Sequence, residues 1–339
     1  MKPARFYKEI SKNKAVQCRL CSHYCLLKDG EIGLCRVRQN KDGKLYTLVY
    51  GYPVALNIDP VEKKPLFHFL PGSTAFSLGT YGCNFRCKNC QNYDISQATE
   101  VEEKTKHLKF FPPEEIVNAA QTQGTESIAY TYVEPTIFGE YALDIMKLAH
   151  ERGLKNIWIS NGFMSPEFLK ELLPLVDAFN IDIKSFSNKF YQEVAGGRLQ
   201  PVLENLKRIK KEGKHLEVTT LIIPTLSDDL KMLKSIAEFI FQELGPKTPW
   251  HISRFSGAIS WQLKHLPSTK VETLQETKSL AEKVGLKFVY LGNVPGEGEN
   301  TYCPKCGSLA IKRTGYSIQR FDDNGRCPGC GEDLNIVTA

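Results

Sequence analysis

No run of apolar residues in this 339-residue chain approaches the ~18 that a membrane-spanning helix needs, so no such helix is expected. The opening stretch, residues 1–14, is polar and basic without an apolar centre, so a secretory leader is not expected either. There is no phosphate-loop lysine motif and no G-x-G-x-x-G pattern, which leaves the Gly-rich passage 292–300 without a case for phosphate binding. No cysteine is left over. All eleven fall into groups of four, three and four. A disulfide framework has no place in a chain long enough to bury an ordinary core, so the cysteines read as metal ligands in a reducing, cytoplasmic setting.

The middle group is the one that lacks something. Cys83, Cys87 and Cys90 lie in Gly-Thr-Tyr-Gly-Cys-Asn-Phe-Arg-Cys-Lys-Asn-Cys-Gln-Asn, directly after an apolar, strand-like stretch at 74–79. Three thiolates hold three irons of a 4Fe–4S cubane and leave the fourth without a protein ligand, and open metal positions are where chemistry occurs. The last group, Cys303, Cys306, Cys327 and Cys330, has C-x2-C-x20-C-x2-C spacing with a glycine after each pair, the pattern of a structural zinc ribbon. The first group, Cys18, Cys21, Cys25 and Cys35, is spaced C-x2-C-x3-C-x9-C and is compatible with structural zinc or with a second iron–sulfur cluster. His23 lies inside it and, with four cysteines present, is read as a bystander.

Charge points the same way. The formal net charge is +6, with +7 in residues 1–50 and −1 in the remainder. A zinc on four thiolates carries −2 and an oxidised cubane on three carries −1, so two zinc sites and one cluster bring the total to about +1. Nucleic acid is not needed to balance the N-terminal excess, and no long basic run argues for it.

Residues 1–70 are expected to form a small Cys-rich module with a strand at 44–49 and a Pro-rich passage through Pro53, Pro60, Pro65 and Pro71. From 71 to 295 short apolar strands, at 74–78, 127–132, 156–160, 178–183, 215–223, 249–254 and 287–290, alternate with helices. One helix begins at Pro113, where a first-turn proline and Glu114–Glu115 suit the helix N-terminus. Others cover 137–152, 166–173, 201–212, 230–244 and 269–284, and Gly153, Gly213 and Gly285 stop three of them. Residues 296–339 are the ribbon. Repeated βα units imply a parallel α/β architecture, barrel-like or doubly wound. Polar residues gather at the C-terminal strand ends, where such barrels carry their chemistry: the cysteine trio, Glu134, Ser160-Asn161-Gly162, Asp182 and Lys184, Thr219 and Thr220, and His251, Ser253 and Arg254. Tyr81 and Phe85 are expected to wall the trio.

On these residues the chain resembles radical S-adenosylmethionine (SAM) enzymes of the branch that contains the pyruvate formate-lyase activating enzyme. C-x3-C-x2-C is that superfamily's signature. Tyr132-Val133-Glu134-Pro135 stands where such enzymes carry Gly-Gly-Glu-Pro, Asn161-Gly162 resembles their Thr-Asn-Gly turn, and Asp182-Ile183-Lys184 their Asp-Leu-Lys strand end. The resemblance is closest to the radical SAM proteins of the AmmeMemoRadiSam system, through Cys-Gln-Asn after the loop, Tyr-Thr-Tyr-x-Glu-Pro-Thr-Ile-Phe, Trp-His-Ile-Ser-Arg-Phe and the Gly-Asn-Val-Pro-Gly passage into the ribbon. It implies a partial (β/α) barrel of the radical SAM type, between a small N-terminal Cys-rich module and a C-terminal zinc ribbon. It also implies a 4Fe–4S cluster that reductively cleaves SAM to a 5′-deoxyadenosyl radical, which abstracts hydrogen from a protein or small-molecule substrate, as a glycyl-radical activase does. Glu134, Asn161, Asp182, Lys184 and His251 become the residues expected around SAM. The implied partners are a reduced ferredoxin- or flavodoxin-type electron donor and Memo-like and AMMECR1-like proteins. Two departures stand out: Asn89 replaces the aromatic residue usual before the third cysteine, and Tyr132-Val133 replaces Gly-Gly. The competing readings are a non-enzymatic zinc protein that binds nucleic acid or protein, and a two-cluster electron-transfer protein.

Overall fold

A computed structural model of the chain describes residues 1–10, 14–294 and 296–338. Its centre is an eight-stranded sheet whose strands lie in chain order: β1 (Ala55–Pro60), β2 (Thr74–Gly79), β3 (Ser127–Tyr130), β4 (Lys155–Ser160), β5 (Ala178–Asp182), β6 (His215–Ile222), β7 (Trp250–Arg254) and β8 (Val289–Gly292). Neighbours from β2 to β8 pair parallel, and β1 pairs antiparallel with β2 at one edge. The order ends at β1 and β8, so the sheet is an open, partial barrel. Its convex face is covered by α1 (Pro113–Thr122), α2 (Gly139–Glu151), α3 (Pro166–Leu172), α4 (Leu199–Lys211), α5 (Leu230–Phe239) and α6 (Val271–Val284).

Each expected strand and helix is present, most within two residues of the expected bounds. Gly153, Gly213 and Gly285 follow α2, α4 and α6 with φ of 75°, 70° and 117°, the left-handed conformation that ends a helix without a Cβ penalty. Two elements are subdivided. A 3-10 turn, Pro135–Phe138, precedes α2, and a π turn, Ile240–Leu244, completes α5.

The division expected at residue 70 does not coincide with the sheet's edge. β1 lies upstream of it, and residues 61–70 then enter the concave side of the barrel, where Val61, Leu66, Phe69 and Leu70 pack on Ala75, Ala129, Ile157 and Ala178. The small alanines on β2, β3 and β5 leave the room that this insertion fills. Prolines masked β1 in the sequence; they are compatible with it because an edge strand leaves one row of amides unpaired.

The N-terminal module consists of two three-stranded antiparallel sheets, Lys2–Pro3 with Lys44–Thr47 and Arg38–Lys41, and Tyr7–Ile10 with Ala15–Cys18 and Leu26–Leu27. It is fastened to α2 by Arg38, whose guanidinium donates two 2.8 Å bonds to the Glu140 carboxylate with both side chains buried. The C-terminal segment forms an antiparallel sheet of Thr301–Tyr302, Leu309–Thr314 and Ser317–Arg320. Residue 295, at the expected barrel–ribbon boundary, lies outside the described residues, as do 11–13 of the N-terminal module and the final residue. No helix among the described residues is long and apolar enough to cross a membrane.

Candidate active site

The strand β2 delivers its chain to the C-terminal rim at Gly79, and the cysteine loop begins three residues later. Gly82 makes the turn with φ of 93°; a Cβ there would stand 2.6 Å from the Cys35 carbonyl oxygen and 2.5 Å from Val37. Phe85 is buried beneath the loop, with its ring centroid 5.1 Å from Phe163 and 6.1 Å from Tyr191. The loop's backbone is tied on several sides. Arg86 N donates to Ala195 O at 2.9 Å, Lys88 N to Val194 O at 3.0 Å, and Trp261 N to Cys90 O at 3.1 Å. These bonds fix the three sulfurs without using them as ligands for anything else, save weak contacts such as Phe85 N donating to Cys83 Sγ at 3.4 Å.

Two asparagines join the loop to the neighbouring strand ends. Asn92 Nδ2 donates to Tyr132 O at 2.7 Å, and Asn161 Nδ2 donates to Asn84 Oδ1 at 2.7 Å. Glu134 is fully engaged in the same framework: Oε1 accepts from Thr136 N and from Ser160 Oγ at 2.8 Å, and Oε2 from Asn161 N at 2.7 Å. Burial raises the pKa of its carboxyl group, and these donors work against that rise. The Glu134 side chain therefore locks the end of β3 to the end of β4.

Asp182 and Lys184, at the end of β5, form an ion pair at 2.8 Å, and the Lys184 amide donates to Tyr191 Oη at 3.1 Å. Burial would lower the Lys184 pKa, but Asp182 and the Cys87 thiolate beside it raise it, so the ammonium stays charged next to the loop. The Asp-Ile-Lys strand end and the middle cysteine are thus brought together.

His251 lies deeper. It is second in β7, not at its end, and its Nε2 pairs with Glu217 Oε2 at 2.6 Å, while its ring stacks at 5.4 Å on Tyr290 and meets Phe67 edge-on at 4.7 Å. Glu217 also accepts from His215 and from the amides of Phe67 and His68 at 2.9, 3.0 and 2.8 Å. Burial alone would raise this carboxyl's pKa, but the two histidine bonds more than offset it and hold it well below the usual range. This places His251 in a network that seats the 61–70 insertion. Thr220, grouped by sequence with the strand-end residues, turns to the helix side and accepts from Trp250 Nε1 at 2.9 Å. Arg254 donates through Nε to Thr269 O at 2.8 Å and so pins the loop before α6.

Sequence reasoning gave no role to Asn84, Asn92, Tyr191, Glu217, Asp59 or Lys64, and it marked Tyr132 only as a departure from Gly-Gly, where either the backbone approaches SAM differently or the tyrosine itself lines the pocket. Tyr132, held at φ of 66°, donates to Asp59 Oδ2 at 2.5 Å, and the buried Lys64 ammonium bonds the same oxygen at 2.6 Å. Burial lowers the Lys64 pKa to about 8. Asn92 lies in the quoted Cys-Gln-Asn run, so its position was visible though its contact was not.

The C-terminal quartet closes tightly. Its four sulfurs all lie within 4.8 Å of one another, with Cys306–Cys327 at 3.4 Å and Cys303–Cys330 at 3.6 Å. Sulfurs that share one tetrahedral ion at ~2.3 Å stand about 3.8 Å apart, so this group fits a single metal ion. Gly307 and Gly331, at φ of 76° and 71°, complete the two knuckles. Among the described residues no other group of three or more ligand atoms meets that 4.8 Å spacing. The trio's wider spacing suits a cubane, in which each thiolate takes a different iron.

Residues 77–240 match the family model described as the radical SAM superfamily, and the chain belongs to that superfamily. It shares a family with the uncharacterized protein MJ0808 of Methanocaldococcus jannaschii, 45% identical over 341 residues that span 99% of this chain and 100% of that one. The pyruvate formate-lyase 1-activating enzyme of Escherichia coli K12 is more distant, 22% identical over 62% of this chain and 89% of its own. Among solved structures, Streptococcus suis SuiB bound to precursor peptide SuiA superposes with a TM-score of 0.50 at 12% identity, covering 69% of this chain and 51% of that one, a likeness of fold alone. The protein is a radical SAM enzyme, distantly related to the glycyl-radical activating enzymes. Membership implies a 4Fe–4S cluster and SAM, and the trio's spacing and freedom from other ligands fit the cluster.

Proposed function

We propose that this enzyme takes hydrogen from a protein or small-molecule substrate with a 5′-deoxyadenosyl radical, in a reaction of the glycyl-radical-activase type. Cys83, Cys87 and Cys90 hold the cluster. When bound, the cluster and SAM supply one-electron cleavage of a sulfonium carbon–sulfur bond. The chain's own residues do the positioning. Glu134 and Asn161 hold two strand ends in register with the cysteine loop, and Asp182 and Lys184 set a paired charge beside Cys87 for the amino-acid end of SAM. Phe85 beneath the loop and the 61–70 insertion below it keep water out of the barrel. His251 acts on SAM only through the Glu217 network. The C-terminal quartet holds a structural zinc. The electron comes from a reduced ferredoxin- or flavodoxin-type donor, and Memo-like and AMMECR1-like proteins are its proposed partners.

The observation that supports this reading most is an open set of three thiolates on the rim of a parallel barrel, with a charged strand end beside it. The protein is reconstituted without oxygen, reduced in the presence of SAM and assayed for 5′-deoxyadenosine. Product is expected from the wild type and none from Cys87→Ala. A fully loaded wild-type cluster that yields none overturns the reading.

A further inference from the structure

The N-terminal quartet differs from the C-terminal one in a way that spacing along the chain does not reveal. All four sulfurs of the C-terminal group converge to single-ion distance, whereas no three of Cys18, Cys21, Cys25 and Cys35 come within 4.8 Å of one another. They surround a small, largely enclosed cavity instead, whose wall is completed by Leu20, Leu34, Ile137, His23 and Arg38. Four thiols that face a common space without closing on one point match ligands that each bind a different metal atom. The cysteine trio, which the superfamily assigns to a cubane, is spaced in the same open manner. Three of the four cysteines are buried, so their separation is not that of loose surface side chains.

The quartet also abuts the catalytic loop. His23, between Cys21 and Cys25, bonds through Nε2 to the carbonyl of Asn84, next to Cys83, at 2.8 Å. The Cys35 carbonyl packs against Gly82, on the other side of Cys83, closely enough to exclude a Cβ. Arg38 lies close to Cys18 and Cys35 and keeps both of its bonds to Glu140, so a buried cation already faces the thiolates. Outside, Leu26, Ile32 and Leu34 are 61%, 47% and 48% exposed, beside the ligands Cys25 and Cys35. Residues 1–50 carry a formal +7 before metal binding.

We propose that Cys18, Cys21, Cys25 and Cys35 hold a second 4Fe–4S cluster, which admits electrons from an acidic ferredoxin- or flavodoxin-type donor docked over the exposed Leu26, Ile32 and Leu34 of this net-basic module. The donor loses one electron, and the quartet cluster gains it, its core charge passing from 2+ to 1+. The cluster returns to 2+ as the same electron moves to the cluster of the trio. No bond or proton changes place. The relay rests on the function proposed above; the metal assignment does not.

Iron, sulfide and zinc are counted in anaerobically reconstituted protein. With two cubanes and one zinc, the wild type holds about eight irons and one zinc, and Cys83→Ala/Cys87→Ala/Cys90→Ala retains about four irons, four sulfides and one zinc. About four irons and two zincs in the wild type, or an iron-free triple variant with two zincs, overturns the assignment. If the triple variant does not fold, the wild-type count decides. Reduced ferredoxin mixed with the triple variant is expected to bleach the remaining cluster's visible absorption; a cluster present but not bleached overturns the relay. None of these readouts depends on whether 5′-deoxyadenosine is formed.

Discussion

At the residue scale, the most consequential side chains are charged groups taken out of water with their partners. Arg38 and Glu140 are the clearest pair, 1% and 2% exposed and bonded twice. Removing one member of a buried pair leaves the other uncompensated, so Arg38→Ala is expected to cost about 3–5 kcal/mol in denaturant unfolding. Replacing both members with apolar residues should cost less. His68 gives a pH signature. It is buried between the Leu334 carbonyl, at 2.9 Å, and the Tyr290 hydroxyl, at 2.6 Å, and burial lowers its pKa to about 3. A folded-state pKa below the unfolded ~6.5 means that the unfolded chain binds the proton first. The His68 contribution is therefore full above pH 6.5 and lost as pH falls toward 3, at about 1.4 kcal/mol per pH unit. Stability measured across that window should fall less steeply in His68→Gln than in the wild type; equal slopes would contradict the assignment. The cysteine groups were legible in the sequence because metal geometry imposes fixed local spacings. Glu217 was not, because it takes its donors from positions 67, 68 and 251 and only one, His215, from nearby.

At the scale of elements, the barrel's parallel strands were readable because each is short, apolar and followed by a helix with recognisable ends. The polar residues grouped at strand ends prove to have two destinations. Glu134, Asn161, Asp182 and Lys184 join the cysteine loop's surroundings, while His251 and Thr220 turn into packing networks. Strand periodicity separates Thr219 from its neighbour Thr220, but depth along β7 could not be judged without knowing which residue begins the strand. The edge strand β1 was hidden by Pro60 at its end and Pro53 just before it. The loop itself makes a sharp prediction. Gly82→Ala would force a Cβ into the Cys35 carbonyl at a φ that L-residues rarely adopt, at a cost of about 1–3 kcal/mol. Reconstituted Gly82→Ala is expected to bind less iron than the wild type under the same conditions; equal iron with an unchanged melting temperature would show that the loop absorbs the change.

At the scale of the whole molecule, the modules at either end are built into the barrel. The ribbon does so through Arg313, whose guanidinium lies 4.2 Å over the Phe67 ring and donates to Phe67 O at 2.7 Å, and through Val337 N, which donates to His68 O at 2.8 Å. These contacts hold the insertion that plugs the barrel's interior, and no local sequence pattern announces a contact across some 250 residues. Cys327→Ala should therefore abolish one metal site and lower the melting temperature of the entire chain. It should spare residual 5′-deoxyadenosine formation, because the trio is untouched. Loss of the product with the cluster fully loaded would contradict this division between structural and catalytic cysteines.

The central claim is that one iron of the trio's cluster has no ligand from the protein. Electron paramagnetic resonance of reduced, oxygen-free protein, recorded with and without SAM, tests it most directly. The signal that Cys83→Ala/Cys87→Ala/Cys90→Ala removes should shift when SAM is added, since SAM alone has an iron to bind. A fully loaded cluster whose signal ignores SAM would mean that the fourth corner is closed.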